Sequence, residues 1–223
     1  MRKFLIFITH FILISFIGMI AFHQIYTLRY KSLKTDLAIS KELIKEYQLK
    51  DRTIINMEKT LHIAYGLSHW EGKYYSVIFY DFAESTGVDW EVYAALIRIE
   101  SNFRTTLKSE GGAKGIAQIL EGTAEEVCKK LDIKYVENET LWNDLLNLVI
   151  GLSYFSDGYV VSNETTHQAK ITHAVRRYLG GPDYKKNIKV NEKTKNYIGN
   201  YKTSVMKEYK RLIYIYKGVV AEN

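Results

Sequence analysis

The chain of 223 residues has one cysteine and one proline. A single cysteine cannot close an intramolecular disulfide, which excludes disulfide-stapled scaffolds and multi-cysteine zinc sites. Cys128 therefore reads as a small buried apolar side chain. With Pro182 as the sole proline, almost nothing interrupts helical stretches, so long helices are expected, with Gly and Asn at the turns. The six histidines show no His-Glu-x-x-His spacing, and no Gly-x-x-x-x-Gly-Lys-Ser/Thr loop occurs. Neither a catalytic metal nor a nucleotide cofactor is expected. Nor does any nucleic-acid-binding signature accompany the basic residues, so no nucleic acid partner is expected. What is present is 47% hydrophobic residues and 13% aromatics, including 18 tyrosines, too many for a disordered chain and enough for a packed core. The length suits one medium domain plus an appendage, and the fold class read from these features is mainly α.

The N-terminal run from 4 to 22, FLIFITHFILISFIGMIAF, lacks any acidic, Lys or Arg side chain. As a helix it would extend roughly 28 Å, enough to cross a bilayer. A cleaved signal peptide would have a shorter apolar region and a small-x-small cleavage site, so residues 1–22 are read as an uncleaved membrane anchor. Basic residues flank both ends (Arg2 and Lys3, then Arg29, Lys31 and Lys34), and their balance does not decide orientation. Residues 23–67 lack proline and place Leu33, Leu37, Ile44 and Tyr47 at helical spacing among charges. They are read as a helical stalk that spaces and packs on the domain, since the heptad pattern is not sustained. The domain proper is expected at 68–223.

The formal charge of +6 is unevenly distributed. Residues 68–169 carry eight basic against sixteen acidic side chains, whereas residues 170–217 carry thirteen basic against three acidic. Such a basic C-terminal third suits an anionic polymer or surface, or simply a solvated lysine-rich face.

Within the domain, Gly87, Val88 and Asp89 form a turn before WEVYAALIRIES, with Asp89 at the N-cap position and Val92, Ala95, Leu96 and Ile99 on one face. Glu100 falls near the end of this helix. The next stretch, SEGGAKGIAQI, concentrates Gly111, Gly112 and Gly115, residues that let a backbone loop lie against an extended ligand. Further helices are expected at about 121–131, 140–159, 167–178 and 194–217, with loops at Asp157-Gly158 and Gly180-Gly181-Pro182.

The segments ALIRIESNF, SEGGAKGIAQI, NLVIGLSYF, RRYLGGP and TKNYI occur in an order that resembles the soluble lytic transglycosylase domain family, of lysozyme-like fold, over residues 75–200. The resemblance implies an enzyme that cleaves bacterial peptidoglycan glycan strands between N-acetylmuramic acid and N-acetylglucosamine. It also implies a single catalytic carboxylic acid, Glu100. By the same matching, Ser101, Ser109, Gln118, Tyr178 and Tyr197 would contact substrate. Three positions depart from the family pattern: Ala117 in place of a methionine, Leu179 in place of an asparagine, and Lys193 where an acidic residue precedes the threonine. The implied setting is the cell envelope, with the domain outside the cytoplasmic membrane, in wall turnover or in service of an envelope-spanning assembly or a phage.

Hydrolysis of a glycosidic bond usually takes two carboxylates, and here a motif supports one. Glu110 and Asp183 lie near motif segments as candidate second carboxylates or as solvated loop residues. Ile97, Ile99 and Phe103 around Glu100, together with the helix C-terminus, should raise its pKa and keep it protonated as a general acid. A goose-type muramidase and a non-catalytic wall-binding or assembly protein are the alternatives.

Overall fold

The computed structural model describes residues 2–137, 139–186 and 191–222, with the backbone alone for residues 2–18, 20–22 and 25. Among the described residues the chain is helical and has no strand. It divides into two compact units, 1–53 and 54–223. Helix α1 (Arg2–Tyr65) opens the chain. The side chains of the expected membrane-spanning run, Met19 apart, lie outside the described residues, and among the described residues no helix is long and apolar enough to cross a membrane. In the first unit Tyr26, Tyr30, Leu33, Leu37, Ile44 and Tyr47 are all exposed.

The second unit begins earlier than the expected residue 68. Ile54, Met57 and Leu61 are buried in the domain core, so the last turns of the expected stalk supply core side chains. Burying three such side chains is worth about 2 kcal/mol each, which explains why the compact unit includes them. Gly66 takes a left-handed φ of 69° and accepts the end of α1 through its amide, which donates to the His62 carbonyl at 2.8 Å. Two residues on, Ser68 and Glu71 form a reciprocal capping box that starts α2 (His69–Thr86).

Helix α3 (Trp90–Ser101) is the centre of the unit. Residues 90–97 are all buried, a consequence of a run that is apolar on nearly every face. Asp89 precedes it at the N-cap, as expected, but its side chain makes no capping bond. The carboxylate instead accepts the Tyr209 hydroxyl and pairs with His167 Nε2 at 3.1 Å, so tertiary partners outcompete the local cap. The Tyr93 hydroxyl is satisfied in the same way: it lies 2.7 Å from both Thr86 Oγ1 and Ser156 Oγ.

A loop, 102–120, leads to α4 (Glu121–Lys130). A short 3-10 turn, Thr140–Trp142, precedes α5 (Asp144–Val160), where a continuous helix from 140 was expected. Asn143 stops that continuity by capping α5 with its own side chain, which accepts the Leu146 amide at 3.0 Å. Asp157-Gly158 is not a loop. Both residues lie inside α5, where Gly158 lets the backbone of α6 (His167–Gly180) approach so closely that a methyl group would meet Ala174 Cα at 3.3 Å. The chain ends in α7 (Glu192–Ala221), capped by Asn191. Helix α7 packs along α3 and on α6, while α5 packs on α6 and α4. Cys128 is buried and free, as expected.

Candidate active site

The site grows from the end of α3. After Ser101 the chain turns sharply, with Asn102 and Phe103 both at left-handed φ values of 56° and 61°. This turn ends the helix immediately past Glu100 and sends the chain into the loop 102–120. Ser101 stabilises the turn: its carbonyl accepts Arg104 Nε at 2.9 Å and its hydroxyl donates to the Ile97 carbonyl at 3.4 Å. It is 2% exposed and does not border the cleft described below, so the expected substrate contact at Ser101 is corrected to a buried position at the end of the helix. One step along a helix rotates a side chain by about 100°, which turns residue 101 inward when residue 100 faces out.

The loop is held in shape by paired backbone bonds. Lys114 and Ile119 exchange both amide-to-carbonyl bonds at 3.0 Å, and Ser109 and Ala113 close a smaller turn in which the Ala113 amide donates to Ser109 Oγ at 3.0 Å. Asn147, fully buried on α5, pins the loop from beneath. Its Oδ1 accepts the Ala117 amide at 2.8 Å, and its Nδ2 donates to the carbonyls of Lys114 and Leu141 at 2.9 and 3.0 Å. Gly115, at φ 77°, is the position that this contact requires to lack a side chain, since a Cβ there would collide with the Asn147 amide.

The loop and helices α3, α4, α5, α6 and α7 together line an open cleft of about 330 Å³. Its lining includes Glu100, Ser109, Gln118, Tyr178 and Tyr197, five of the six residues expected from the sequence, and adds Tyr154. Gln118 sits at φ 50° and spends both amide hydrogens on the carbonyls of Leu107 (3.0 Å) and Gly115 (2.8 Å). What it can still offer a sugar is its carbonyl oxygen, an acceptor. The Tyr178 hydroxyl donates to the Ala117 carbonyl at 2.6 Å. Gly151 makes room for this pair: a methyl group there would strike the Ala117 side chain and lie 3.0 Å from the Tyr178 hydroxyl. Ala117 is fully buried, so its side chain packs on Gly151 rather than facing the cleft. Leu179, in contrast, lines the cleft and presents an apolar wall. Tyr197, in the second turn of α7, is 65% exposed at the rim.

Glu100 is half-buried, and burial pushes its carboxyl up to about 7. Opposing this, the Tyr201 hydroxyl donates to Glu100 Oε1 and favours the ionised form. Tyr201 was not among the residues singled out from the sequence. The signal was its position four residues after Tyr197, one helical turn along α7 on the same side. Burial and the charge of Glu100 raise both Tyr178 and Tyr201 well above the ordinary tyrosine range, so both act as neutral hydrogen-bonding groups. Tyr154 was quoted within a motif without a role. Its ring lies 5.7 Å from that of Tyr178 and carries the Arg177 guanidinium at 4.9 Å. Neither Glu110 nor Asp183 borders the cleft, and among the described residues lining it Glu100 is the one carboxylate. No group of His, Cys, Asp and Glu suited to a metal ion occurs among the described residues.

Such an arrangement, a carboxyl held at about 7 beside neutral aromatic hydroxyls in an open cleft, is suited to donating a proton to a leaving oxygen and retrieving one from another. Among known structures the chain is similar to an inactive mutant of lytic transglycosylase Slt from Pseudomonas aeruginosa, at 21% identity over 68% of this chain and 25% of that one, with a TM-score of 0.49. It is also similar to the 70 kDa soluble lytic transglycosylase from Escherichia coli, at 23% identity over 78% of this chain and 28% of that one, with a TM-score of 0.42. A complex of the 70 kDa soluble lytic transglycosylase with bulgecin A matches at 22% identity over 69% and 24% of the two chains, with a TM-score of 0.42. The chain thus spans about a quarter of the length of these proteins. Among curated proteins none matches it. The profile of the Transglycosylase SLT domain matches residues 78–199, a segment that contains every cleft residue named above, while Tyr201, the partner of Glu100, lies two positions beyond it. Since that segment is more than half of the chain, the protein belongs to the Transglycosylase SLT domain family.

Proposed function

We propose that the protein is a peptidoglycan lytic transglycosylase that cleaves between N-acetylmuramic acid and N-acetylglucosamine with Glu100 as its single acid and base. One observation carries the reading: Glu100, held at about 7 by burial, is the sole carboxylate among the described residues lining the cleft. A hydrolase of the usual kind places a second carboxylate about 5–9 Å away to act as nucleophile or base, and this cleft offers none. In the reaction, protonated Glu100 gives its proton to the glycosidic oxygen as the bond from that oxygen to the muramic C1 breaks. The substrate's own acetamido group shields the developing cation. The Glu100 carboxylate then takes the proton of the muramic C6 hydroxyl, whose oxygen closes on C1 to form a 1,6-anhydro ring. Water is not consumed, and Glu100 ends protonated as it began.

Tyr201 holds the Glu100 carboxylate in place through the step in which it is ionised. Gln118 and Ser109 face the sugars, and Tyr154, Tyr178 and Tyr197 supply aromatic walls to the ring faces. Mass spectrometry of digested sacculi is the test: anhydro-muramic ends are expected, and free reducing muramic ends alone would assign a goose-type muramidase. A non-catalytic wall-binding role requires that the wild-type protein release no muropeptides.

Residues 1–22 act, in this proposal, as an anchor in the cytoplasmic membrane that keeps the domain on its outer side. The support is the charge-free apolar run 4–22. Fractionation of cells expressing the full chain, with alkaline extraction of the membranes, checks it: release by alkali would remove the anchor reading.

A further inference from the structure

Helix α1 buries one end of an apolar stripe and leaves the other bare. Tyr26, Tyr30, Leu33, Leu37, Ile44 and Tyr47 follow one another at steps of four and three, with Ser40 as the one polar member of the series. That is the a and d spacing of a short heptad repeat, which sets these side chains on one narrow face of the helix. The charged side chains from Arg29 to Glu46 all fall off the stripe. Asp51 interrupts the series, and Ile54 and Leu61 resume it in the same register. There the domain core covers it, leaving Ile54 8% and Leu61 0% exposed. The six side chains from Tyr26 to Tyr47, by contrast, are 57% to 73% exposed.

A helix draws most of its stability from packing an apolar face, and without a neighbour it is marginal in water. The stripe therefore calls for a cover, and three of its properties select one. A narrow a and d seam fits another helix better than a broad surface. Leu33 at a d position and Ile44 at an a position are the choices that favour two strands over three. At about 100 Å² per side chain, two copies of the stripe bury on the order of 1,200 Å², the lower end of the range for a stable specific interface.

We propose that residues 26–47 pair with the same segment of a second copy of the chain as a parallel, in-register two-stranded coiled coil. Charge decides the direction. In the parallel pair, Asp36 at a g position of each copy faces Lys41 at an e position of the other, once on either side of the seam. Arg29 meets Lys34 in the same way and offsets part of that attraction. An antiparallel pair over the same stretch would set Lys34 against Lys41 on both sides, with no opposite charge in return. The seam thus supplies the affinity, and Asp36 with Lys41 the direction and register. The pairing does not depend on the chemistry assigned to the cleft.

The test uses the full-length chain in a density-matched detergent. Sedimentation equilibrium is expected to give the mass of two chains for the wild type. Leu37→Lys, which places a charge in the seam, should weaken self-association by about a hundredfold or more. The three tryptophans, Trp70, Trp90 and Trp142, all lie in the second unit, so unchanged tryptophan fluorescence shows the domain of the variant to be intact. A second measurement needs no loss of stability. A disulfide requires its two Cα atoms within about 7 Å, so mild oxidation should join Ser40→Cys chains across the seam. Thr35→Cys, on the opposite face of the helix, should crosslink no more than the wild type, whose sole Cys128 is buried. Equal crosslinking from positions 35 and 40, or none from position 40, overturns the proposal. So does a Leu37→Lys variant that remains a dimer, because the contact then lies elsewhere in the chain. A wild-type mass of one chain also overturns it and leaves the stripe to a lipid surface or to a different protein.

Discussion

Glu91 and Glu100 share helix α3, two and a half turns apart, and burial carries each carboxyl up to about 7. Their surroundings differ. Glu91 is 9% exposed and lies near Trp90, Tyr209 and Tyr216 at the end of α3 that faces the C-terminal half of α7. Glu100 meets the other end of α7, where the Tyr201 hydroxyl donates to it and the cleft reaches it. A raised pKa thus marks both positions and selects neither. Access by substrate, and a donor that steadies the ionised form, separate a working acid from a buried one.

The largest expected effect breaks the pair apart by activity. Glu100→Gln should lower the rate of muropeptide release by about 10²–10⁴-fold with the helical circular dichroism unchanged. Glu91→Gln should leave the rate within about threefold, because nothing places that side chain at the cleft. Equal losses in the two variants would mean that the two ends of α3 are not functionally distinct.

By stability the same two residues should behave alike. A carboxyl at about 7 in the folded state and 4.5 when unfolded holds its proton more tightly when folded. Its contribution is therefore fully favourable below about 4.5 and is lost as pH rises toward 7. For Glu91 the loss amounts to about 3 kcal/mol by pH 8, and for half-buried Glu100 to less. Urea titrations from pH 4 to pH 8 should show stability falling in the wild type and a flatter profile in each Glu→Gln variant, more so for Glu91. A wild-type profile that rises across this range would contradict the burial of Glu91.

Asn147→Ala should then damage one end alone. It deprives the Ala117 amide of its acceptor and the Lys114 and Leu141 carbonyls of a donor, which costs about 1–3 kcal/mol for each buried group left unpaired. Muropeptide release should fall by about tenfold or more as the loop that carries Gln118 loosens. The pH dependence of stability that arises at Glu91 should persist. If activity is unaffected, the loop does not depend on Asn147 for its working shape.

Helix content, the helix bearing Glu100 and the glycine loop were legible in the sequence because they depend on short-range pattern: apolar periodicity, a capping position and clustered glycines. Five of six expected site residues border the cleft for the same reason, each lying in a contiguous motif. The errors came where distant partners decide. Asp89 reads as a cap but is taken by Tyr209 and His167. Gly158 reads as a turn but serves close packing of α5 on α6. Ser101 stands next to Glu100 in the motif, yet helix rotation buries it. The domain start at Ile54 was hidden because Ile54, Met57 and Leu61 continue the same helical spacing as the exposed residues before them, and only the presence of a core to receive them sets them apart.

Tyr201 provides the finest division between the two ends of α3. Its hydroxyl donates to the Glu100 carboxylate and thereby lowers a pKa that burial raises. Tyr201→Phe removes the donor and keeps the ring, so the carboxyl should rise further above its ordinary range. Since cleavage needs protonated Glu100, the wild-type rate should fall about tenfold per pH unit above about 7, and in Tyr201→Phe this alkaline limb should move to higher pH. Below the limb the rate should drop by less than about tenfold, because the ionised intermediate loses one hydrogen bond. Tyr209→Phe is the matched control at the Glu91 end: it removes the hydroxyl that reaches Asp89 and should leave the limb where it is. A limb that stays in place in Tyr201→Phe, or moves in both variants alike, would show that Tyr201 does not position the acid, and the contrast between the two glutamates would then rest on access to the cleft alone.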